Sequence, residues 1–197
     1  MKQIEITAKV NQSMEEIHDI LSNQGFSFIR NNRVEDKYMT LDYDELAKDT
    51  ILDVLQTCIL IRYVKLSEDK EFKNLTYKKK EYQGNTVISE EKIIVDIDDV
   101  DKAELLLESV GFQKIVEVKY DVFVYKKGPV ELCFQDVDGL GLMVEYENPL
   151  DFTGKTSKEI LQEKQKMAEE LKSYHIDITS EYDVKKAYQL ISNRMKV

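Results

Sequence analysis

Hydrophobic and polar positions alternate along most of the first three quarters of this chain. In "IVEVKYDVFVY" one set of alternate positions is Val116, Val118, Tyr120, Val122 and Val124, while the other carries Glu117, Lys119 and Asp121 before ending in Phe123 and Tyr125. A period of two belongs to β-strands, whose successive side chains point to opposite faces. The same split recurs in "PVELCFQ", with Val130, Leu132 and Phe134 against Glu131, Cys133 and Gln135. In the opening strand Ile4, Ile6 and Ala8 stand against Glu5, Thr7 and Lys9. Lys78 and Lys80 share a side with Thr76, Arg62 lies opposite Ile61 and Tyr63, and "VISEEKIIV" leaves Glu90 and Lys92 on its more charged face. Strands are expected over 2–10 and near 26–40, 57–66, 74–82, 86–95, 112–126, 130–137 and 141–148. "QGNT", "KKGP" and Asp138-Gly139 supply hairpin turns.

Between these strands the period changes. "NQSMEEIHDILSNQG" reads as a helix: Ser13 and Glu16 form a capping box, Met14, Ile17 and Leu21 form an apolar stripe, and Gly25 ends it. "IDDVDKAELLLESVGFQKI" repeats this plan, with an Asp cap, and Leu107, Gly111, Phe112 and Ile115 reproduce the spacing of Leu21, Gly25, Phe26 and Ile29. A duplicated strand and helix unit is implied. Residues 42–56 fit either a short helix or a loop. After Pro149 the pattern is helical, with Thr156 and Glu159 as a capping box and Ser180 expected to begin a last helix, forming a C-terminal lid or brace. With no low-complexity linker, the chain is expected to be one domain over 1–197: strands and two helices over 1–148, then C-terminal helices over 149–197.

About eight strands with so few helices leave two readings open. One is an antiparallel sheet with one face on helices and one in water. The other is an α+β fold whose mostly antiparallel sheet curls into an eight-stranded, tunnel-like barrel, with helices packed outside and the charged faces converging within. The ending "FQDVDGLGLMVEYENP" bears on the choice. Glu145 and Glu147 share one face, and like charges so placed repel unless water, Lys/Arg or a cation lies between them. A converging interior of Lys, Arg and carboxylates is costly unless compensated, and a polyphosphate with a divalent metal would compensate it.

Composition narrows the partners. Lys and Arg number 28 against 38 Asp and Glu, a formal charge of −10. That opposes nucleic-acid binding, which needs an excess of basic side chains. No apolar run suits a membrane span or a secretory leader, so a cytoplasmic location is expected. Cys58 and Cys133 lack zinc spacing and read as small buried or strand residues. His18 and His175 also lack ligand spacing. Exposed strand edges or the C-terminal helices leave room for a homodimer.

The charged strand faces resemble those of the CYTH family, the triphosphate tunnel metalloenzymes, over residues 3–148. "EITAK" is similar to the family's ExExK strand, keeping Glu5 and Lys9 with Thr7 in the second acidic place. "EDKY" resembles its D-x-Y through Asp36 and Tyr38; "CILIR" keeps Arg62, with Leu60 replacing an earlier Arg; "LTYK" matches its basic strand through Lys78. "VDGLGLMVEYE" is the most specific match, and Gln135 before it stands where the family has an Asp.

The resemblance implies Mg²⁺ or Mn²⁺ on Glu5, Glu145 and Glu147, and phosphate binding by Lys9, Arg62, Lys78, Lys80 and Lys119. Tyr38 would orient substrate or help proton transfer. The implied substrate is a small triphosphorylated ligand such as ATP, tripolyphosphate or thiamine triphosphate, attacked by water in a triphosphatase or by a ribose hydroxyl in an adenylate cyclase. The alternatives are a catalytically degenerate phosphate-ligand binder, since Thr7, Leu60 and Gln135 depart from the pattern, and an interaction domain whose charged sheet faces meet only water.

Overall fold

The computed structural model describes residues 4–195 apart from positions 68, 84, 85 and 149, and describes the backbone alone at 67, 79–83 and 86–90. The tips of "QGNT" and the side chain of Lys80 therefore lie outside the described residues. In chain order the elements are β1 (Ile4–Lys9), α1 (Met14–Asn23), β2 (Ser27–Thr40), α2 (Ile51–Thr57), β3 (Ile59–Ser67), β4 (Lys70–Gln83), β5 (Thr86–Asp96), α3 (Val100–Ser109), β6 (Gln113–Lys127), β7 (Val130–Val137), β8 (Gly141–Asn148), α4 (Ser157–Ser173) and α5 (Lys186–Arg194). All eight strands form one antiparallel sheet in the order β1-β8-β7-β6-β2-β3-β4-β5.

The expected duplication is visible in that order. β1-α1-β2-β3-β4 and β5-α3-β6-β7-β8 follow the same plan apart from the inserted α2, and the two halves join along the central β2–β6 pair. Local chemistry agrees. Ser13 and Glu16 close a capping box on α1, Thr156 and Glu159 close another on α4, and Asp99 accepts from the Asp101 and Lys102 backbone amides to cap α3. Gly128 (φ 56°) and Gly139 (φ 78°) take the left-handed conformations that the turns after β6 and β7 need. The ambiguous 42–56 stretch resolves into a 3-10 turn over Tyr43–Glu45 followed by α2.

Each face of the sheet has its own helices. On the convex face Ile4, Ile6, Ala8, Leu132, Phe134 and Val144 pack against Ile17 and Leu21 of α1 and Ile160, Met167 and Leu171 of α4. Farther along, Met39 and Ile61 pack against Ala103 and Leu107 of α3. On the concave face α2 and α5 contribute Ile51, Val54, Ala187 and Ile191, which meet Val116, Val118, Val122 and Val124. No helix among the described residues is long and apolar enough to cross a membrane.

Two expectations need correction. The apolar face of β6 is concave, so the interior is charged only in part. Parity separates a strand's two faces, but which face turns inward depends on the covering helices, and here α2 and α5 claim the valines. The second correction concerns the C-terminus. No helix starts at Ser180; α5 begins at Lys186, and the preceding segment runs as a strap along β1. The Thr179 amide donates to the Lys9 carbonyl, the Thr7 amide to the Tyr182 carbonyl and the Val184 amide to the Thr7 carbonyl. Lys164 of α4, 4% exposed, pairs with Asp183 of the strap. The sheet is thus curled but not closed by strand pairing between β1 and β5, because the strap takes up the β1 edge. β5 forms the other edge, where Ile93, Ile94 and Val95 are exposed.

Phe134 is fully buried and meets Tyr125 edge-on at 5.9 Å. Phe134→Ala is expected to destabilise the fold by about 3–5 kcal/mol, read by urea denaturation. Burial pushes the Cys58 thiol up to about 12, and burial followed by the charge of Glu145 does the same to Cys133. Both thiols are therefore expected to stay unmodified by iodoacetamide at pH 8 in the folded protein and to react after denaturation, as checked by mass spectrometry; rapid modification of the native chain would contradict this packing.

Candidate functional site

The site lies where β1, β8 and β7 turn their polar alternates to the concave side and α5 passes over them. In the β1–β8 pair Thr7 faces Glu145 and Glu5 faces Glu147; in the β7–β8 pair Cys133 faces Glu145. Across the hollow, Lys78 on β4 pairs in register with Lys92 on β5. A cavity of about 100 Å³ is lined by Glu5, Thr7, Tyr38, Lys78, Glu145 and Lys186, among others.

Glu145 is the electrostatic centre. Its Oε2 accepts from the Gln135 side-chain amide at 3.0 Å and lies 3.7 Å from the Lys186 ammonium. Lys186 in turn donates to Gln135 Oε1 and sits 4.5 Å from the centroid of the Tyr120 ring. Burial alone would raise the Glu145 carboxyl; the charges of Lys186, Lys78 and Lys92, together with the Gln135 hydrogen bond, outweigh it and hold the carboxyl below its ordinary value. Lys78 and Lys92, from the far end of the sheet, act here on a carboxylate of β8, so the curl brings the two ends together.

A second cluster adjoins the first. Arg62 donates through Nε and Nη2 to the two carboxylate oxygens of Asp36, each at 2.6 Å, and through Nη2 to the Tyr120 hydroxyl at 3.3 Å. Asp36 is 2% exposed. Burial opposes the Arg62 charge, but Asp36 more than offsets this and raises the guanidinium well above its usual value. Tyr120 joins the clusters, its hydroxyl on the Arg62–Asp36 pair and its ring under Lys186.

The structure brings Glu5, Tyr38, Lys78 and Glu145 to one cavity and places Arg62 beside it. Glu147 shares their face but opens to a neighbouring hollow with Arg30, Lys126 and Glu131, which Glu145 also borders. Lys9 keeps the parity of Glu5 and Thr7, opposite Met143, outside the cavity lining. The backbone register gives Lys80 the parity of Lys78. Lys119 is not brought to the site. It occupies the convex face of β6, ion-paired with Glu35 at 3.3 Å and Glu117 at 3.4 Å, because the concave alternates of that strand are its valines and Tyr120.

Three participants escaped the sequence reading. Lys186 lies on a helix whose pattern reads as a brace, Tyr120 sits within an apolar set of alternates, and Gln135 stands where the resemblance has an Asp. The parity of Gln135 with Cys133 was the available signal that it faces Glu145.

A divalent metal does not fit this arrangement. Among the described residues no group of three His, Cys, Asp or Glu side chains is placed to hold one. Thr7 faces Glu145 without a charge and Gln135 presents an amide, so the two side chains beside Glu145 on β1 and β7 add no carboxylate to the set that Mg²⁺ or Mn²⁺ favours.

No family model matches the chain. A Methanocaldococcus jannaschii protein, provisionally named an adenylate cyclase, is 28% identical over 95% of this chain and 97% of its own length. A Pyrococcus horikoshii structure superposes with a TM-score of 0.72 at 22% identity, covering 98% of this chain and 99% of that one. A Hippeastrum protein provisionally called an adenylyl cyclase, and described as having a dominant triphosphatase activity, superposes with a TM-score of 0.59 at 15% identity, covering 98% of this chain and 96% of its own. With its strand motifs, its sequence similarity to the archaeal protein over nearly the whole chain, and its curled eight-stranded sheet, this chain resembles the CYTH family in sequence and has a CYTH-like fold.

Proposed function

We propose that this chain is an enzyme that hydrolyses a small triphosphorylated substrate in the concave cavity, with tripolyphosphate as the preferred class. The observation that supports the reading is a partly enclosed hollow that brings the Lys78 and Lys186 ammonium groups to Glu5 and Glu145, with Lys92 paired in register to Lys78. Phosphoryl transfer places most of its demand on positioning and on stabilising charge spread over phosphate oxygens, and converging ammonium groups supply that. Neither a Ser–His nor a Cys–His nucleophile is needed. Lys78 lies on the side of the hollow opposite Glu145 and would meet the phosphates, with Lys92 paired to it in register. Arg62, fixed by Asp36, would hold Tyr120 and so the floor of the site.

The preference for a linear phosphate over a nucleotide rests on space. With α5 seated, the cavity of about 100 Å³ falls below the ~300–1,000 Å³ of ordinary small-ligand sites. The names of the archaeal and Hippeastrum relatives favour triphosphate chemistry in general, and the latter's described activity favours hydrolysis over cyclisation. A second reading, a binder without turnover, draws support from the uncharged Thr7 and Gln135 beside Glu145.

Purified protein incubated separately with tripolyphosphate, ATP and thiamine triphosphate, each with Mg²⁺, Mn²⁺ or EDTA, separates the readings. Orthophosphate release, fastest from tripolyphosphate, is the expected result. Pyrophosphate with cyclic AMP from ATP would make it a cyclase, calorimetric binding without turnover would make it a binder, and neither would leave a charged sheet facing water. Lys78→Ala is expected to lower kcat/KM for tripolyphosphate at least tenfold with the fold intact by circular dichroism; unchanged kinetics would remove Lys78 from the site.

A further inference from the structure

The resemblance calls for a metal ion at Glu145, and the geometry supplies a different cation there. The Lys186 side chain is 16% exposed, and its ammonium is held from three directions: the Glu145 carboxylate, the Gln135 carbonyl oxygen and the face of Tyr120. Gln135 suits this use better than a second carboxylate would. Its NH₂ group donates to Glu145 Oε2 while its oxygen accepts from Lys186, so one neutral amide links anion and cation. The Glu145 oxygen nearer the ammonium thus already accepts an N–H hydrogen bond, which takes up one of its lone pairs.

Lys186 is also delivered with little freedom. It is the first residue of α5, directly after the strap that is hydrogen-bonded to Thr7 on β1 and pinned to α4 through Lys164 and Asp183. Beyond it, Ala187 and Ile191 are buried against the β6 valines. The seat is not fully satisfied, since among the described residues Gln189 Oε1 and Ser192 Oγ of α5 are buried without hydrogen-bond partners.

We infer that the Lys186 ammonium occupies the cation position on Glu145 and excludes a divalent metal from the cavity while α5 is seated. The chain carries its own counter-cation where the resemblance implies an exchangeable one. Like charges at contact distance repel, so Lys186 and a metal ion compete for the same carboxylate. The inference deepens the reading of this cavity as a triphosphate site, yet its test contains no triphosphate, so the two stand or fall separately.

The test is titration of Mn²⁺ alone, followed by electron paramagnetic resonance of the free ion, into the full chain and into Lys186→Met, Lys186→Gln and Lys186→Arg. Wild type and Lys186→Arg are expected to bind Mn²⁺ only weakly. Lys186→Met and Lys186→Gln are expected to bind it at least tenfold tighter, with the gain abolished in the Glu145→Gln/Lys186→Met double variant. Micromolar Mn²⁺ binding by the wild type overturns the inference whatever the variants do. So does equal, weak binding by wild type and either folded neutral variant, or a gain that survives loss of Glu145. Triphosphate hydrolysis with Mn²⁺ affinity unmoved by Lys186 would sink this inference alone, whereas tighter Mn²⁺ binding by the neutral variants without any turnover would sink only the assigned activity.

Discussion

A half-buried carboxylate on the concave side of a sheet is stabilised by nearby positive charge, and the arrangement of this molecule follows from how Glu145 is answered. Its neighbours on β1 and β7 are neutral, Thr7 and Gln135, so the compensation comes from elsewhere. Lys78 and Lys92 provide part of it from the far end of the sheet, which constrains the curl. Lys186 provides the nearest part from a helix at the other end of the chain. A partly buried charge that loses its partner costs free energy, though less than a fully desolvated one would. Sheet curvature and the seating of α5 are therefore linked through one side chain.

The strap makes that link geometrically possible. β1 is an edge strand and would otherwise present unpaired amides and carbonyls. Residues after α4 take up those groups at Lys9 and Thr7, and Lys164 of α4 fixes the strap from its other side. Because the strap ends at β1, α5 starts beside Glu145 and has nowhere to go but across the concave face. Covering the edge and delivering Lys186 are two results of one chain path. The valines of β6 complete it, for they give α5 an apolar surface to lie on.

Much of this was legible in the sequence because it rests on local rules. The two capping boxes, the left-handed glycines at turns, the duplicated helix spacing and the parity of β1, β7 and β8 are all short-range, and the structure repeats them. The curled sheet with helices on its convex face follows from strand count and alternation. Which face of β6 turns inward was not legible, since an apolar set packs equally well beneath an outer helix or an inner one; Lys119 was misplaced for that reason. The strap was missed because "IDITSEYDV" pairs with β1 only after 170 residues of chain have brought the two together, and nothing within the segment announces it. Lys186 was missed with it. The site residues found by motif lie on strands, whose side-chain direction alternation predicts; those missed depend on tertiary placement.

The duplication explains why the ends of the sheet suit one another. In the order of the sheet, β1 and β8 at one end correspond to β5 and β4 at the other. Had both halves kept the same charges, curling would bring like charges together across the hollow, and the curl would oppose itself. Instead the first end presents Glu5, Glu145 and Glu147 on its concave alternates and the second presents Lys78 and Lys92. The charges of Lys78 and Lys92, after that of Lys186, help hold the Glu145 carboxyl below its ordinary value across the gap between the two ends. Attraction between the ends favours curling but leaves the charges partly hydrated and reachable, as hydrogen-bonded closure need not. A hollow whose ends meet through opposite charges rather than through a continuous ladder can open its electrostatic contacts to an anion without breaking the sheet, which is what the proposed phosphate site asks of it.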